Sequence, residues 1–286
     1  MTDLSCFADR GLGYLLEWVR QDSVPGGCER SVRLKPNAFE THRVLFSFSL
    51  SDLPSPVHER VAAQCHAMSI PETLLNAITR FLPRAAFVHF GFEESGEDLV
   101  RKCYLELPAP DSSKEVEAGR LQFLGFKWND RHPGRSIVSR YRSLPIGSRI
   151  ELLNVFHASV TEKLQNPVLE LIKVAIGDQE LLAERTALEP LLPSVLELPS
   201  VLEIVDEGSD RCSYDVNLYA WNRRIAELEP ALKQLSAAFH THAECQAWIP
   251  VVHDQPLGHI AAGRGRDGQP FVTIYYGGSD LLPPLS

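Results

Sequence analysis

Hydrophobic and polar residues alternate along ten short segments of the chain, which fall into five consecutive pairs. Such alternation is typical of β-strands that have one polar and one apolar face. A turn containing Gly, Pro, Asn or Asp separates the members of each pair, as antiparallel hairpins require. The predicted hairpins are Cys28–Lys35 with Arg43–Leu50, Ala86–Glu93 with Leu99–Leu107, Phe123–Asn129 with Ser136–Arg142, Leu202–Val205 with Tyr214–Trp221, and Leu257–Gly263 with Pro270–Tyr276.

Segments with helical periodicity precede and separate these hairpins. They are typical of amphipathic helices that cover one face of a sheet. The predicted helices are Asp9–Gln21, Ser55–Met68, Pro71–Leu82, Ser112–Ala118, Ser148–Val174, Gln179–Leu192 and Asn222–His240. Hairpins with intervening helices predict an α+β fold, which we expect to form one domain over residues 1–286.

The polar faces of the predicted strands are rich in hydrogen-bond donors. In the first strand, Glu29, Arg33 and Lys35 alternate with Val32 and Leu34. Such a face either lies in solvent on an open sheet or lines the interior of a closed barrel. The abundance of Arg, Lys and Tyr in an acidic chain favours the second alternative. We therefore expect a ten-stranded antiparallel β-barrel with a polar lumen, surrounded by α-helices.

Composition argues against several classes of function. The net charge of −9 over 286 residues argues against non-specific binding to nucleic acid or anionic membranes, which needs surplus Lys and Arg. No apolar run approaches the roughly 18 residues of a membrane span, and the N-terminus lacks the apolar core of a secretory signal. The six cysteines form no C-x-x-C pair and are expected to be free thiols, which predicts a cytoplasmic protein.

The order and spacing of several stretches resemble a known family. These stretches are Cys28–Arg33 with Arg43 ten residues later, Phe123–Phe126 with Gly134–Tyr141, Asn217–Arg223, and Thr273–Tyr276. They are similar to hairpins of the cyanobactin peptide prenyltransferases of the PatF/TruF type, which belong to the ABBA class, named for repeated ααββ units. The resemblance spans most of the chain, although Ser143–Ser200 is longer than the family's usual connection.

The resemblance implies transfer of a prenyl group from its diphosphate to a side chain of a ribosomally derived, cyclic peptide. The moderate bulk of Ile204 and Val205, near the family's chain-length position, favours a dimethylallyl donor. Two alternatives stay open: an ABBA enzyme acting on a free aromatic such as tryptophan or an indole, and a non-catalytic protein that binds a lipid or anion. The family generally uses Mg²⁺. Because the chain lacks a D-D-x-x-D motif, we expect Mg²⁺ to arrive with the donor diphosphate and predict no protein metal site.

Candidate site residues follow from the resemblance and from the polar strand faces. By position, Glu29 matches the acid that handles the acceptor's proton, Arg33, Arg43 and Lys102 match diphosphate-binding residues, and Tyr141, Tyr219 and Tyr275 match residues that shield the prenyl cation; Tyr104 and Trp128 are further aromatic candidates, and Glu106 is a second candidate acid. Arg and Lys suit a leaving diphosphate, and aromatic faces stabilise a nearby cation. In the structural alternative, Glu29 pairs with Arg33 and the tyrosines only pack.

Overall fold

The computed structural model describes residues 10–95, 98–108, 119–129, 131–132, 134, 136–177 and 198–281. Its strands are β1 Gly27–Lys35, β2 Ala38–Glu40, β3 Arg43–Ser49, β4 Phe87–Ser95, β5 Asp98–Glu106, β6 Leu121–Trp128, β7 Ile137–Leu144, β8 Val201–Asp206, β9 Cys212–Asn217, β10 Leu257–Arg264 and β11 Pro270–Asp280. All five predicted hairpins are present. The main difference is in β9, which ends at Asn217 rather than at the predicted Trp221.

The strands form a closed barrel. Within the described residues, ten antiparallel strands follow one another around the wall from β11 through β3 to β1, and β11 then pairs with β1. Ser31 lies opposite Tyr275 in this closing pair, and Arg33 lies opposite Thr273. The short β2 extends only the far end of β1. The predicted ten-stranded antiparallel barrel is therefore confirmed.

The helices are α1 Arg10–Asp22, α2 Val57–Ala67, α3 Glu72–Phe81, α4 Arg149–Ser159, α5 Glu162–Ala175, α6 Glu229–Ala238 and α7 His242–Val252. The predicted helix Ser148–Val174 is divided into α4 and α5. Predicted helices Ser112–Ala118 and Gln179–Leu192 lie outside the described residues. None of the helices in the described part of the chain is long and apolar enough to cross a membrane.

The region after β9 differs most from the sequence prediction. A helix was expected over Asn222–His240, but short 3₁₀ segments occupy Tyr219–Trp221 and Ile225–Leu228, and α6 begins only at Glu229. Asn222 has a positive φ of 48°, a conformation that Asn tolerates and that interrupts a helix. Pro230 in the first turn of α6 suits a helix start. Helix α7 was not predicted.

Apolar side chains on the outer face of the barrel pack beneath the helices. One cluster joins α1–α3 to β3–β6 and includes the fully buried Phe46 and Phe90, while a second joins α4–α7 to β8–β11 and includes Val216 and Ile260. Because side chains alternate across a strand, burying this face beneath helices directs the polar residues into the barrel. The lumen is therefore polar, as expected.

Candidate active site

The lumen contains a cavity of about 590 Å³ at the end of the barrel where β1 and β10 begin. The exposed end of β11, Gly278–Asp280, forms part of its rim. Its polar lining includes Glu29, Glu93, Lys102 and Glu106. A space of this size lies within the range of small-molecule sites in proteins.

A buried ion-paired cluster lies against the floor of this cavity. Arg43 and Glu93 lie directly opposite each other on β3 and β4. Arg43 Nη2 and Lys102 Nζ both contact Glu93 Oε1, and Arg43 Nε donates to Ser31 Oγ over 3.1 Å. Although burial opposes ionisation, the charges of Arg43 and Lys102 hold the pKa of Glu93 far below its usual range. Burial lowers the pKa of Lys102 to about 7, and an anion bound beside Lys102 would favour its protonated, charged form.

Arg33 also lies in the lumen, on the closing pair of strands. Its Nε donates to Thr273 Oγ1 over 3.0 Å, and its guanidinium lies 4.7 Å from the centre of the Phe271 ring. Glu29, by contrast, accepts a hydrogen bond from Tyr219. The structure therefore pairs Glu29 with Tyr219 rather than with Arg33.

Lys127 is a further basic residue of the lumen that was not identified from the sequence. Lys127 on β6 lies directly opposite Lys102 on β5, and its Nζ is 6.0 Å from the centre of the Tyr141 ring. Burial, together with the charges of Arg211 and Lys102, lowers the pKa of Lys127 well below its usual value. Lys127 shares the strand face of Phe123 and Gly125, so strand alternation contained the signal that identifies it.

Asp206 is the centre of a network of ion pairs and hydrogen bonds at the other end of the lumen. Arg211 Nη1 donates to both of its carboxylate oxygens over 2.9 and 3.0 Å, Arg266 Nε donates over 2.7 Å, and Ser139 Oγ donates over 2.5 Å. Lys127 and Arg211 hold the pKa of this carboxylate far below its usual range, against the effect of burial. Around Glu93 and Asp206, basic side chains thus outnumber acidic ones, so this part of the lumen suits an anion.

Aromatic rings form the wall beside the basic residues. Tyr104, Tyr141 and Tyr275 all line the cavity, and the Tyr104 and Tyr141 rings meet edge to face with centres 5.7 Å apart. Burial raises the pKa of Tyr141 to about 12, so its phenol is neutral near pH 7. Gly125 makes room for both rings, since a Cβ there would lie 2.8 Å from Tyr104 and 3.1 Å from Tyr141.

We expect Gly125→Ala to lower the free energy of unfolding by about 1–3 kcal/mol, the usual cost of overpacking. The added methyl group requires the Tyr104 or Tyr141 ring to move within a packed wall. Urea unfolding followed by circular dichroism measures the change. The control is Gly13→Ala in the exposed face of α1, where an added Cβ would meet no described heavy atom within 4 Å beyond the adjacent residues and the backbone of α1 itself. That control should be neutral or stabilising. Equal stability of Gly125→Ala and the parent protein would contradict this account of the wall.

Two aromatic candidates occupy other positions. Trp128 points out of the barrel and is buried in the outer core, where its Nε1 donates to Met68 O over 2.8 Å, so its assignment as a lumen residue was wrong. Tyr219 lines the cavity from the 3₁₀ segment after β9, and His259 lies between it and Tyr275, with ring centres 5.2 and 5.9 Å away. Tyr219 therefore belongs to the mouth rather than to the wall of tyrosines.

Glu29 and Tyr219 meet at the mouth. The Tyr219 hydroxyl donates to Glu29 Oε1, and a side chain at Gly258 would clash with both groups. Burial raises the pKa of Glu29, while the positive charge of His259 and the Tyr219 hydrogen bond partly offset that rise. A carboxyl with a raised pKa, facing a cavity, is suited to exchanging protons.

His259 places a positive charge beside Glu29. Its Nδ1 lies 2.8 Å from Asp215 Oδ1. Although burial disfavours the charged form, Asp215 raises the pKa of His259 to about 9. His259 was not singled out from the sequence, because its partner Asp215 lies 44 residues away.

Glu106, the second candidate acid, also lines the cavity but has a different environment. Its Oε2 lies 3.1 Å from Nε2 of His89, whose Nδ1 lies 2.7 Å from Ser47 Oγ. The structure therefore brings Glu29 and Glu106 into the same cavity and gives each its own histidine.

Ile204 and Val205, the residues expected near the donor's chain, lie on opposite faces of β8. Ile204 pairs with Tyr141 and Ser213 in the sheet, which places it on the lumen face. Val205 is exposed on the outer face.

Comparison with known proteins identifies the fold of the chain. No family model matches the chain, and no curated protein matches it. The solved structure of NotF in complex with brevianamide F and DMSPP superposes with a TM-score of 0.53 and 10% identity, covering 90% of this chain and 81% of NotF. The chain has the ABBA barrel fold. AnaPT from Neosartorya fischeri gives a TM-score of 0.49 at 12% identity, over 87% of this chain and 77% of AnaPT. A structure of NotF prenyltransferase gives 0.47 at 10% identity, over 88% and 81%.

The described residues of this ABBA barrel do not assemble a set of metal ligands. Among the described residues, no group of three or more His, Cys, Asp or Glu side chains is placed to hold a metal ion. The lumen carboxylates Glu93 and Asp206 are instead held by basic side chains. The described residues therefore do not fit a Mg²⁺ ion bound by the protein alone.

Proposed function

We propose that the protein transfers a prenyl group from its diphosphate to an acceptor held beside Glu29. One observation carries this proposal: a closed lumen in which Lys102 and its basic neighbours lie beside a wall of tyrosines, with a carboxyl group at the mouth. Basic residues assist ionisation of an allylic diphosphate, and tyrosines protect the resulting cation. The carboxyl group removes a proton from the acceptor. The same barrel fold in NotF is consistent with it.

The basic residues would act on the leaving diphosphate. As the carbon–oxygen bond of the donor breaks, its electron pair goes to the diphosphate, whose negative charge increases. Arg43 and Lys102 are held close to the cavity floor before the donor arrives. Charges already in place stabilise the transition state more than the ground state, because no solvent must reorganise.

The tyrosine wall and Glu29 would act on the cation and the acceptor. The faces of Tyr104, Tyr141 and Tyr275 are suited to a cation, and the closed wall keeps water from it. The acceptor's nucleophile forms its new bond to the cationic carbon of the prenyl group. The proton that the acceptor loses then passes to the Glu29 carboxylate, beside which Tyr219 lies.

Two classes of acceptor have support. A peptide side chain, our first proposal, follows from the sequence resemblance and agrees with a cavity that reaches the exposed rim at Gly278–Asp280. A free aromatic small molecule is at least as well supported, because NotF has been solved with brevianamide F and DMSPP.

We propose dimethylallyl diphosphate as the donor, with Ile204 beside its chain. We further propose that Mg²⁺, where the reaction uses it, enters with the diphosphate.

The test is incubation with dimethylallyl diphosphate and a panel of acceptors, followed by mass spectrometry. The panel contains cyclic peptides with each nucleophilic side chain, free tryptophan and indole, with and without Mg²⁺. A product that carries one dimethylallyl group in place of a hydrogen supports the proposal and identifies the acceptor class. Tight binding of the donor without any product would instead support a non-catalytic binding protein.

We expect His259→Gln to move the acid limb of the pH–rate profile to higher pH. The positive charge of His259 lowers the pKa of Glu29, so its loss leaves only the Tyr219 hydrogen bond to offset the effect of burial. Turnover requires the ionised carboxylate and is lost as pH falls through that pKa, so a higher pKa removes activity at a higher pH. Turnover rates at saturating substrate, measured from about pH 5 to about pH 9, test this prediction. His253→Gln, at an exposed position after α7, is the control. An unmoved acid limb in His259→Gln would refute the coupling.

A further inference from the structure

Glu93 contacts the same basic groups that a bound diphosphate would need. Its Oε1 touches Arg43 Nη2 and Lys102 Nζ, and it lines the cavity together with Lys102. Arg43 lies behind them, with its side chain only 2% exposed. An anion that enters the cavity therefore meets the carboxylate of Glu93 where it approaches Arg43 and Lys102.

Two anions at this position repel each other. Donors already engaged by one carboxylate are not fully available to the oxygens of a second anion, and like charges in a poorly hydrated lumen interact strongly. A donor with a diphosphate group must share or displace the contacts of Glu93. The pyrophosphate left after transfer faces the same competition, which favours its departure.

We propose that Glu93 is an internal anion that competes with the donor's diphosphate for Arg43 and Lys102, and so limits donor affinity and promotes pyrophosphate release. This inference rests on the proposed function, because it takes the cavity floor as the diphosphate site. In the absence of donor, Glu93 keeps the two buried cations paired. When the diphosphate binds, it takes over part of that pairing.

A fixed orienting role for Glu93 predicts the opposite result. If its carboxylate keeps hold of Lys102 and Arg43 while they bind the diphosphate, its removal loosens the site and weakens binding. Competition predicts stronger binding once the negative charge is gone. The sign of the change in affinity therefore separates the two roles.

The experiment is calorimetric titration of Glu93→Gln with inorganic pyrophosphate. We expect the dissociation constant to fall by about tenfold or more, since one unit charge is removed from direct contact with the binding groups. The matched control is Glu40→Gln. Glu40 Oε2 also approaches Arg43, at 3.8 Å from Nη1, but its other carboxylate oxygen pairs with Lys35 at the far end of β1. This control should leave pyrophosphate affinity within about twofold, because Glu40 Oε1 pairs with Lys35 and its Oε2 approaches Arg43 only at 3.8 Å.

Unchanged or weaker pyrophosphate binding by folded Glu93→Gln overturns the inference, as does an equal gain in Glu40→Gln. Pyrophosphate-induced shifts in melting temperature provide the same comparison if the variant is only marginally stable. If Glu93→Gln does not fold, Glu93→Asp replaces it: the shorter carboxylate withdraws from the two cations, and a smaller gain in affinity is expected. Turnover of dimethylallyl diphosphate by the unmodified protein is measured in parallel. Its absence counts against the proposed function, whereas turnover without the gain in Glu93→Gln counts against Glu93 alone.

Discussion

Glu29→Gln is expected to lower the turnover rate by about a hundred- to ten-thousand-fold, the range of general-base contributions. The amide keeps the shape of the side chain and its contact with Tyr219 but does not accept a proton near neutral pH. Donor binding should change little, because the basic cluster of Arg43 and Lys102 contacts Glu93 rather than Glu29. Single-turnover rates at saturating donor and acceptor, together with calorimetry of a non-reactive donor analogue, measure the two effects separately.

Glu106→Gln is the comparison variant for this prediction. Glu106 lines the same cavity but lies beside His89, and its mutation removes an equal charge from the mouth. A large rate loss in Glu106→Gln with little loss in Glu29→Gln would transfer the role to Glu106. Melting temperatures of both variants exclude unfolding as the cause. If neither variant is slower, neither Glu29 nor Glu106 receives the acceptor's proton.

Strand alternation was sufficient to predict the wall of the barrel and many of the residues that face its interior. Once the helices bury one face of each strand, the other face has no destination except the lumen. Glu29, Arg43 and Lys102 are therefore placed correctly by counting along β1, β3 and β5. The same counting places Trp128 outside, because it shares a face with Leu124 and Phe126 rather than with Lys127. Its selection for aromatic character alone ignored that rule.

The contacts at the mouth required the folded structure. Tyr219 reaches Glu29 across 190 residues of sequence, and it does so because β9 ends at Asn217 and the chain turns through a 3₁₀ segment. Nothing in the alternation of Tyr214–Trp221 signals that end. The room for the pair comes from Gly258 on β10, and only the register of neighbouring strands reveals that a side chain there would clash.

The ion pairs within the lumen were equally inaccessible from sequence. Both Arg43 and Lys102 were assigned to the diphosphate as basic residues, but their contact with Glu93 depends on how β3, β4 and β5 align. Glu93 lay on a predicted strand without any feature that marked it. Long-range register decides which charges meet, and a single sequence carries little information about it.

Arg43→Ala is expected to weaken binding of a prenyl diphosphate analogue by about ten- to a hundredfold, since one hydrogen bond to a charged group contributes about 1.5–3 kcal/mol. It should also lower the free energy of unfolding by about 3–5 kcal/mol, as breaking one side of a buried ion pair does. Arg43 is almost fully buried, and its loss leaves the Glu93 carboxylate with less compensating charge in the lumen. Calorimetry and urea unfolding measure the two changes.

Arg140→Ala is the control, because Arg140 pairs with Glu207 on the solvent-exposed side of β7 at 2.6 Å. Such an exposed pair contributes about 0–1 kcal/mol and lies outside the lumen, so neither quantity should change much. Unchanged donor affinity in a folded Arg43→Ala protein would mean that the diphosphate binds away from the cluster formed by Arg43, Lys102 and Glu93.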